Sequence, residues 1–173
     1  RVDRAKIPKL HRRAIVQTHC HHHSIMRFDS EAEVMKTMGL DYEVLNSGCC
    51  GMAGSFGFEK DKFEVSQACA ERVLMPRVRD ADPSTFVIAD GFSCKTQIAV
   101  NGARRAIHLA EALALAIDHG PEGPAPAPFA ESAHLEGSQR AMRRSMTIAG
   151  AIAIGLFLLL IAIVAALTLQ HGL

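Results

Sequence analysis

Tryptophan is absent from this 173-residue chain, tyrosine occurs once, at Tyr42, and aromatic residues make up only 5%. So few rings leave little to stack on nucleobases. A formal net charge of +1 supplies no basic field for a phosphate backbone, so nucleic acid is excluded as a partner. The first segment, with Lys6, Lys9, Arg12 and Arg13, lacks the apolar run of a signal peptide. It begins at Arg1 rather than Met, and the chain reads as a piece of a longer polypeptide. Also missing are H-E-x-x-H, C-x-x-C, G-x-S-x-G and a glycine-rich loop ending in Gly-Lys-Ser/Thr. Zinc-finger, thioredoxin, hydrolase and phosphate-loop chemistries therefore have no carrier here.

What is present is an odd set of five cysteines: Cys20, Cys49, Cys50, Cys69 and Cys94. An odd number that includes an adjacent pair does not suit a secreted disulfide framework. Clustered thiols in a reducing compartment serve instead as metal ligands or redox groups. The chain separates into three regions. Residues 1–118 have mixed composition. Residues 119–145 form a linker, extended and flexible by composition, with four of the seven prolines and a basic end at Arg140, Arg143 and Arg144. Residues 146–169 are 24 consecutive uncharged residues with two threonines as their polar groups. As a helix this run is roughly 36 Å long, enough for a hydrocarbon core of about 30 Å. A domain this small has no room to enclose a helix apolar on every side, so a single-pass membrane anchor is expected. The arginines before the span place the cysteine region on the cytoplasmic side of the cell (inner) membrane by the positive-inside rule.

Residues 1–118 read as α/β. Strands are expected at 14–18, 42–45 and 85–89, with a short one at 105–108. Helices are expected at about 31–38, with Ser30 and Glu33 as a capping box and Gly39 as a stop, at 61–74 up to Pro76, and at 109–117. Alternation of this kind implies a small parallel sheet, whose carboxyl-end loops all fall on one edge, where such sheets bind ligands. Cys20, Cys49, Cys50 and Cys94 fall in those loops. Cys69, at helical spacing in Ser66–Ala70, reads as a core residue.

Adjacent Cys49 and Cys50 reach one site only if the backbone bends sharply, and Gly48, Gly51 and Gly54 permit that bend. Four thiolates suit an iron–sulfur cluster or zinc, and a vicinal Cys49–Cys50 disulfide switch is a further reading. In the run His19-Cys20-His21-His22-His23, consecutive side chains diverge, so at most one or two imidazoles join Cys20 at a metal. His19 or His21 is the candidate. Arg104-Arg105 reads as solvated surface.

Three segments then resemble a known family: His19-Cys20-His21; Ser47-Gly48-Cys49-Cys50-Gly51-Met52-Ala53-Gly54-Ser55-Phe56-Gly57; and Ala89-Asp90-Gly91-Phe92-Ser93-Cys94. They are similar to the cysteine-rich CCG domain, and more narrowly to the C-terminal part of bacterial FAD-linked oxidases of the glycolate or D-lactate dehydrogenase type. Arg104–Glu111 also fits, and the resemblance covers about residues 14–117. In the related heterodisulfide reductase subunit, a cysteine, a Cys-Cys-Gly and a Cys-x-x-Cys hold an iron–sulfur cluster. Cys20, Cys49, Cys50 and Cys94 match that pattern, whereas Gly91 stands where the first cysteine of the last pair belongs. The resemblance implies an electron-transfer module with a [4Fe-4S] cluster, which serves oxidation of a 2-hydroxy acid such as D-lactate or glycolate. It further implies FAD in a separate upstream domain or subunit, a ferredoxin-like partner, and a membrane quinone or other electron acceptor. The alternative is a membrane-anchored zinc-binding or thiol redox-sensor domain without catalysis.

Overall fold

The computed structural model describes residues 7–102, 104–126 and 128–170. In chain order the elements are β1 (Arg13–Gln17), α1 (Cys20–Met26), α2 (Asp29–Met38), β2 (Asp41–Val44), α3 (Phe63–Glu71), α4 (Leu74–Asp80), β3 (Phe86–Ala89), α5 (Phe92–Asn101), α6 (Leu109–His119) and α7 (Ser132–Gln170). A 3-10 turn at Phe56–Phe58 precedes α3. The chain divides into two compact units, Arg1–His134 and Leu135–Leu173.

The first unit is α/β, as expected. Its three strands are all parallel, in the order β2-β1-β3. The central strand pairs Ile15 with Glu43 on one side and with Val87 on the other. Alternation sends Ala14 and Val16, with Phe86 and Ile88, into one apolar cluster shared with α2 and α6. Ile15, with Val87 and Ala89, enters a second cluster shared with α4 and α5. Both faces are thus covered, which explains the unbroken apolar runs in β1 and β3. The edge strand β2 is only half-buried and more polar.

Local departures from expectation have identifiable causes. The Arg105–His108 stretch adds an isolated bridge, Ile88 to Ile107, rather than a strand. Pro76 lies in the first turn of α4, where its missing N–H costs no helical bond. Gly39 does stop α2, at φ 84°. The expected capping box at Ser30 is not formed, since α2 begins at Asp29 with no side-chain cap. A capping box closes α6 instead, between His108 and Glu111.

The proline-rich stretch after α6 makes defined contacts with the sheet unit. Arg12 donates to the carbonyls of Glu122 (2.9 Å) and Pro124 (3.0 Å), and Ala130 is fully buried. Arg104, expected at the surface, is 4% exposed and paired with the buried Glu131 at 2.8 Å. Its guanidinium also donates to the carbonyls of Ala81, Asp82 and Thr85 and lies 4.6 Å from the centroid of the Phe129 ring. Arg105 remains exposed.

Through Ser132–Leu167, α7 has a mean hydropathy of 2.9 in its most apolar window, and it is long and apolar enough to cross a membrane. Its large apolar side chains from Ile148 to Leu167 are exposed.

Candidate metal centre

Because the three strands are parallel, the segments leaving their carboxyl ends share one edge. Cys20 leaves β1 as the first residue of α1, Cys49 and Cys50 follow β2, and Cys94 lies in the first turn of α5 after β3. All four are free thiols; Cys20 and Cys49 are exposed, Cys50 and Cys94 buried. Cys94 is the neighbour that acts most strongly on Cys50, and both Cys50 and Cys20 act on Cys49.

These interactions polarise the thiols. Cys50 is brought down to about 6 by the hydrogen bond from Cys94, against the cost of burial, with help from the N–H groups of Met52 and Ala53. Cys94 is pushed up by its interaction with Cys50, and burial and the neighbouring thiols add to the effect. Cys49 is pushed up by burial, although Gly51 N–H donates to its sulfur at 3.3 Å. Cys94 feels the charges of the other three cysteines, and Cys49 those of Cys50 and Cys20, so the four sulfurs act as one electrostatic group.

The loop that carries Cys49 and Cys50 is held at both ends. Gln17, buried at the end of β1, donates to the Gly48 carbonyl at 3.2 Å and accepts from the Ser47 hydroxyl. Downstream, Gly54 N–H donates to Ser93 Oγ at 3.1 Å, which ties the loop to the turn of α5 next to Cys94. Between these points Gly48, Gly51, Ala53 and Gly54 all have positive φ. Gly51 has a second constraint, since a Cβ there would lie 2.1 Å from the Ser66 carbonyl oxygen of α3. It would also lie 3.1 Å from Cys69 Cβ, so Cys69 backs the loop on the helix behind it. Buried Gln97, one turn beyond Cys94, donates to the Ser66 carbonyl and hydroxyl at 3.2 Å and locks α5 to α3. The positioning roles of Gln17, Ser93 and Gln97 escaped sequence reasoning, because an isolated polar residue in an apolar run has no spacing signature.

His19 caps α1 by accepting from His22 N–H at its Nδ1, 3.4 Å away. Its ring also occupies the space beside Gly91, where an added Cβ would approach His19 Cδ2 to 2.5 Å. Gly91, the position that departs from the heterodisulfide reductase pattern, is thus filled from the other side by an imidazole. His21 is exposed, its ring centroid 6.4 Å from that of His19. His22 turns towards α2 and meets Glu31 at 3.0 Å. The histidine run therefore disperses, as its spacing implies.

Among the described residues, no three or more His, Cys, Asp and Glu side chains stand together at the spacing of a bound ion. Even so, the donor set suits an iron–sulfur group: four free thiols on one edge, one already biased to thiolate, with loop N–H groups aimed at the sulfurs.

Comparison with known proteins gives two kinds of relative. One is a subunit of the anaerobic glycerol-3-phosphate dehydrogenase of Escherichia coli (strain K12), 32% identical over 107 residues, a match that covers 59% of this chain and 26% of that protein. The other is D-2-hydroxyglutarate dehydrogenase. The chain is 34% identical over 65 residues to that of Pantoea ananatis and 33% over 66 residues to that of Haemophilus influenzae, in each case 38% of this chain and 6% of the relative. The chain thus spans about a quarter or less of the curated relatives it matches. No family model and no solved structure matches. The relatives are dehydrogenases by name, so the similarity runs to the oxidoreductase class.

Proposed function

We propose that this chain is the iron–sulfur electron-transfer portion of a membrane-anchored, FAD-linked dehydrogenase, with Cys20, Cys49, Cys50 and Cys94 as the cluster ligands. The observation that carries this reading is the placement of four free thiols, from three separate stretches of sequence, on one sheet edge, in a chain whose relatives are dehydrogenases. A [4Fe-4S] cluster bound there would store and release single electrons. The chain's own contribution is to hold the sulfurs and tune them. Gln17 and Ser93 fix the two ends of the Cys49–Cys50 loop, and Gly51 N–H donates to the Cys49 sulfur. Such donors stabilise the more negative, reduced state and so raise the potential.

The flavin belongs to an upstream domain or subunit, and a ferredoxin-like domain would bridge it to this site. The substrate class we assign is a 2-hydroxy acid or a similar small secondary alcohol, the chemistry that the names of the relatives share. Residues 146–169 would anchor the chain in the inner membrane with the cysteine unit on the cytoplasmic side, at high local concentration relative to a membrane-held acceptor. A quinone is the natural acceptor in that setting.

A second reading is a thiol sensor. The observation in its favour is the set of free thiols on one edge, among them the adjacent Cys49–Cys50 pair, with Cys50 brought down to about 6 by Cys94.

The test is anaerobic purification of the full chain in detergent, reconstitution with iron and sulfide, and assay of iron, zinc and acid-labile sulfide. The electron-transfer reading requires labile sulfide in step with iron, lost in Cys50→Ser and in Cys94→Ser. Zinc without sulfide, or no metal with a reversible disulfide among these four cysteines, overturns it.

A further inference from the structure

Beside the thiol edge lies an open cleft of about 560 Å³, bounded by α1, α2, the start of α5 and α6. Its apolar lining comes from Val34, Leu109 and Leu113, and Phe92, 85% exposed, stands on it as well. Three imidazoles, His19, His22 and His108, and two carboxylates, Glu31 and Asp90, supply its polar groups.

The hydrogen bonds of these groups decide what the cleft offers. His108 is the N-cap of α6 and accepts Ala110 N–H at its Nδ1, 3.0 Å away. His19 is the N-cap of α1 and accepts at its Nδ1 in the same way. An imidazole whose Nδ1 accepts carries its proton on Nε2 when neutral. Both capping imidazoles line the cleft, so in that tautomer their Nε2–H groups are the donors they have left to offer it. Glu31 is taken by His22 Nε2 at 3.0 Å. Asp90 Oδ1 accepts from Leu109 N–H at 2.8 Å and lies 3.6 Å from His108 Nδ1, the capping nitrogen and not Nε2. What remains is an apolar floor, an exposed aromatic ring and two pinned N–H donors.

That combination matches a flat, apolar ring with carbonyl oxygens at opposite ends. We infer that this cleft binds the headgroup of a quinone, with His19 and His108 as donors to its two carbonyls and Phe92 against its face. The inference deepens the electron-transfer reading by giving the acceptor a site. His19 lies against Gly91 and immediately before Cys20, and Cys94 is two residues after Phe92, so a ring held here adjoins the thiol edge.

The binding test does not depend on a cluster. The full chain in detergent is titrated with the fluorescent quinone analogue 2-heptyl-4-hydroxyquinoline N-oxide, and the quenching of its fluorescence is followed. His108→Asn keeps a side chain that caps α6 but removes the imidazole donor. Leu113→Trp fills the floor, and Phe92→Ser removes the exposed ring at a position that contributes no core. Expected are saturable quenching by about one equivalent, displacement by menadione, and affinity weakened about tenfold in His108→Asn and lost in Leu113→Trp. Iron and sulfide measured on the same samples report on the cluster proposal separately. Quenching that does not saturate, that is equal in all four proteins, or that is displaced by FMN and not by menadione overturns the assignment.

Discussion

Gly51→Ala is the substitution whose cost the structure specifies best. The residue has φ +89°, a region that costs an L side chain about 1–2 kcal/mol. Its new Cβ would in addition lie 2.1 Å from the Ser66 carbonyl oxygen. That oxygen belongs to the backbone of α3 and cannot swing aside, and overpacking of this kind costs about 1–3 kcal/mol. The two terms together give about 2–5 kcal/mol. Gly48 (φ +66°) and Gly54 (φ +69°) isolate the first term, since a Cβ at either meets nothing within 4 Å. Alanine there should cost only about 1–2 kcal/mol of backbone strain. Urea unfolding of the sheet unit within the full chain, followed by circular dichroism, should rank Gly51→Ala well below both other variants. Iron incorporation should fall most for Gly51→Ala too, because relief of the clash moves the Cys49–Cys50 loop off α3. Equal midpoints for Gly51→Ala and Gly48→Ala would refute the reasoning that this loop is seated directly on the Ser66 turn.

Three further outcomes follow from other parts of the chain. Glu131→Ala should destabilise the sheet unit by about 3–5 kcal/mol in urea, because it strands the buried Arg104; a double Arg104→Met, Glu131→Leu variant should lose less than the sum of the two single changes. Glu111 is held below the usual carboxylate range, despite burial, by His108 N–H and the Lys95 ammonium. Its contribution is therefore complete above its unfolded value of about 4.3 and is lost as pH falls through the lower folded value, so Glu111→Gln should narrow the stability difference between pH 6 and pH 3.5 in urea titrations. Deletion of residues 146–169 should move the protein from an alkali-resistant membrane pellet to the soluble fraction, and release of the intact chain by alkaline carbonate would refute the anchor.

The sheet was legible in the sequence because its strands are covered on both faces and so read as apolar runs: Ala14–Val16 and Phe86–Ala89 each feed two clusters by simple alternation. The edge location of the cysteines followed from the parallel order alone. What could not be read was anything decided by long-range polar contacts. Arg104 looked like half of a surface pair until Glu131, 27 residues on, closed over it. The proline-rich stretch looked like a free linker because its contacts are backbone carbonyls offered to Arg12, which composition does not record. The Cys49–Cys50 loop has positive φ at Ala53 as well as at the glycines, and no sequence rule assigns alanine that conformation. His19 was singled out as a candidate metal ligand; its place against Gly91 and at the cap of α1 became visible only once β1 and β3 were neighbours.

The most direct test of the central claim is an EPR spectrum of the anaerobically purified chain, reduced with dithionite, recorded beside the Cys50→Ser variant. The account predicts a fast-relaxing signal from a reduced cluster, in amount matching the iron bound, and its loss in the variant. A chain that carries iron and sulfide yet gives the same signal without the Cys50 thiolate, or one that stays silent while binding only zinc, would contradict it.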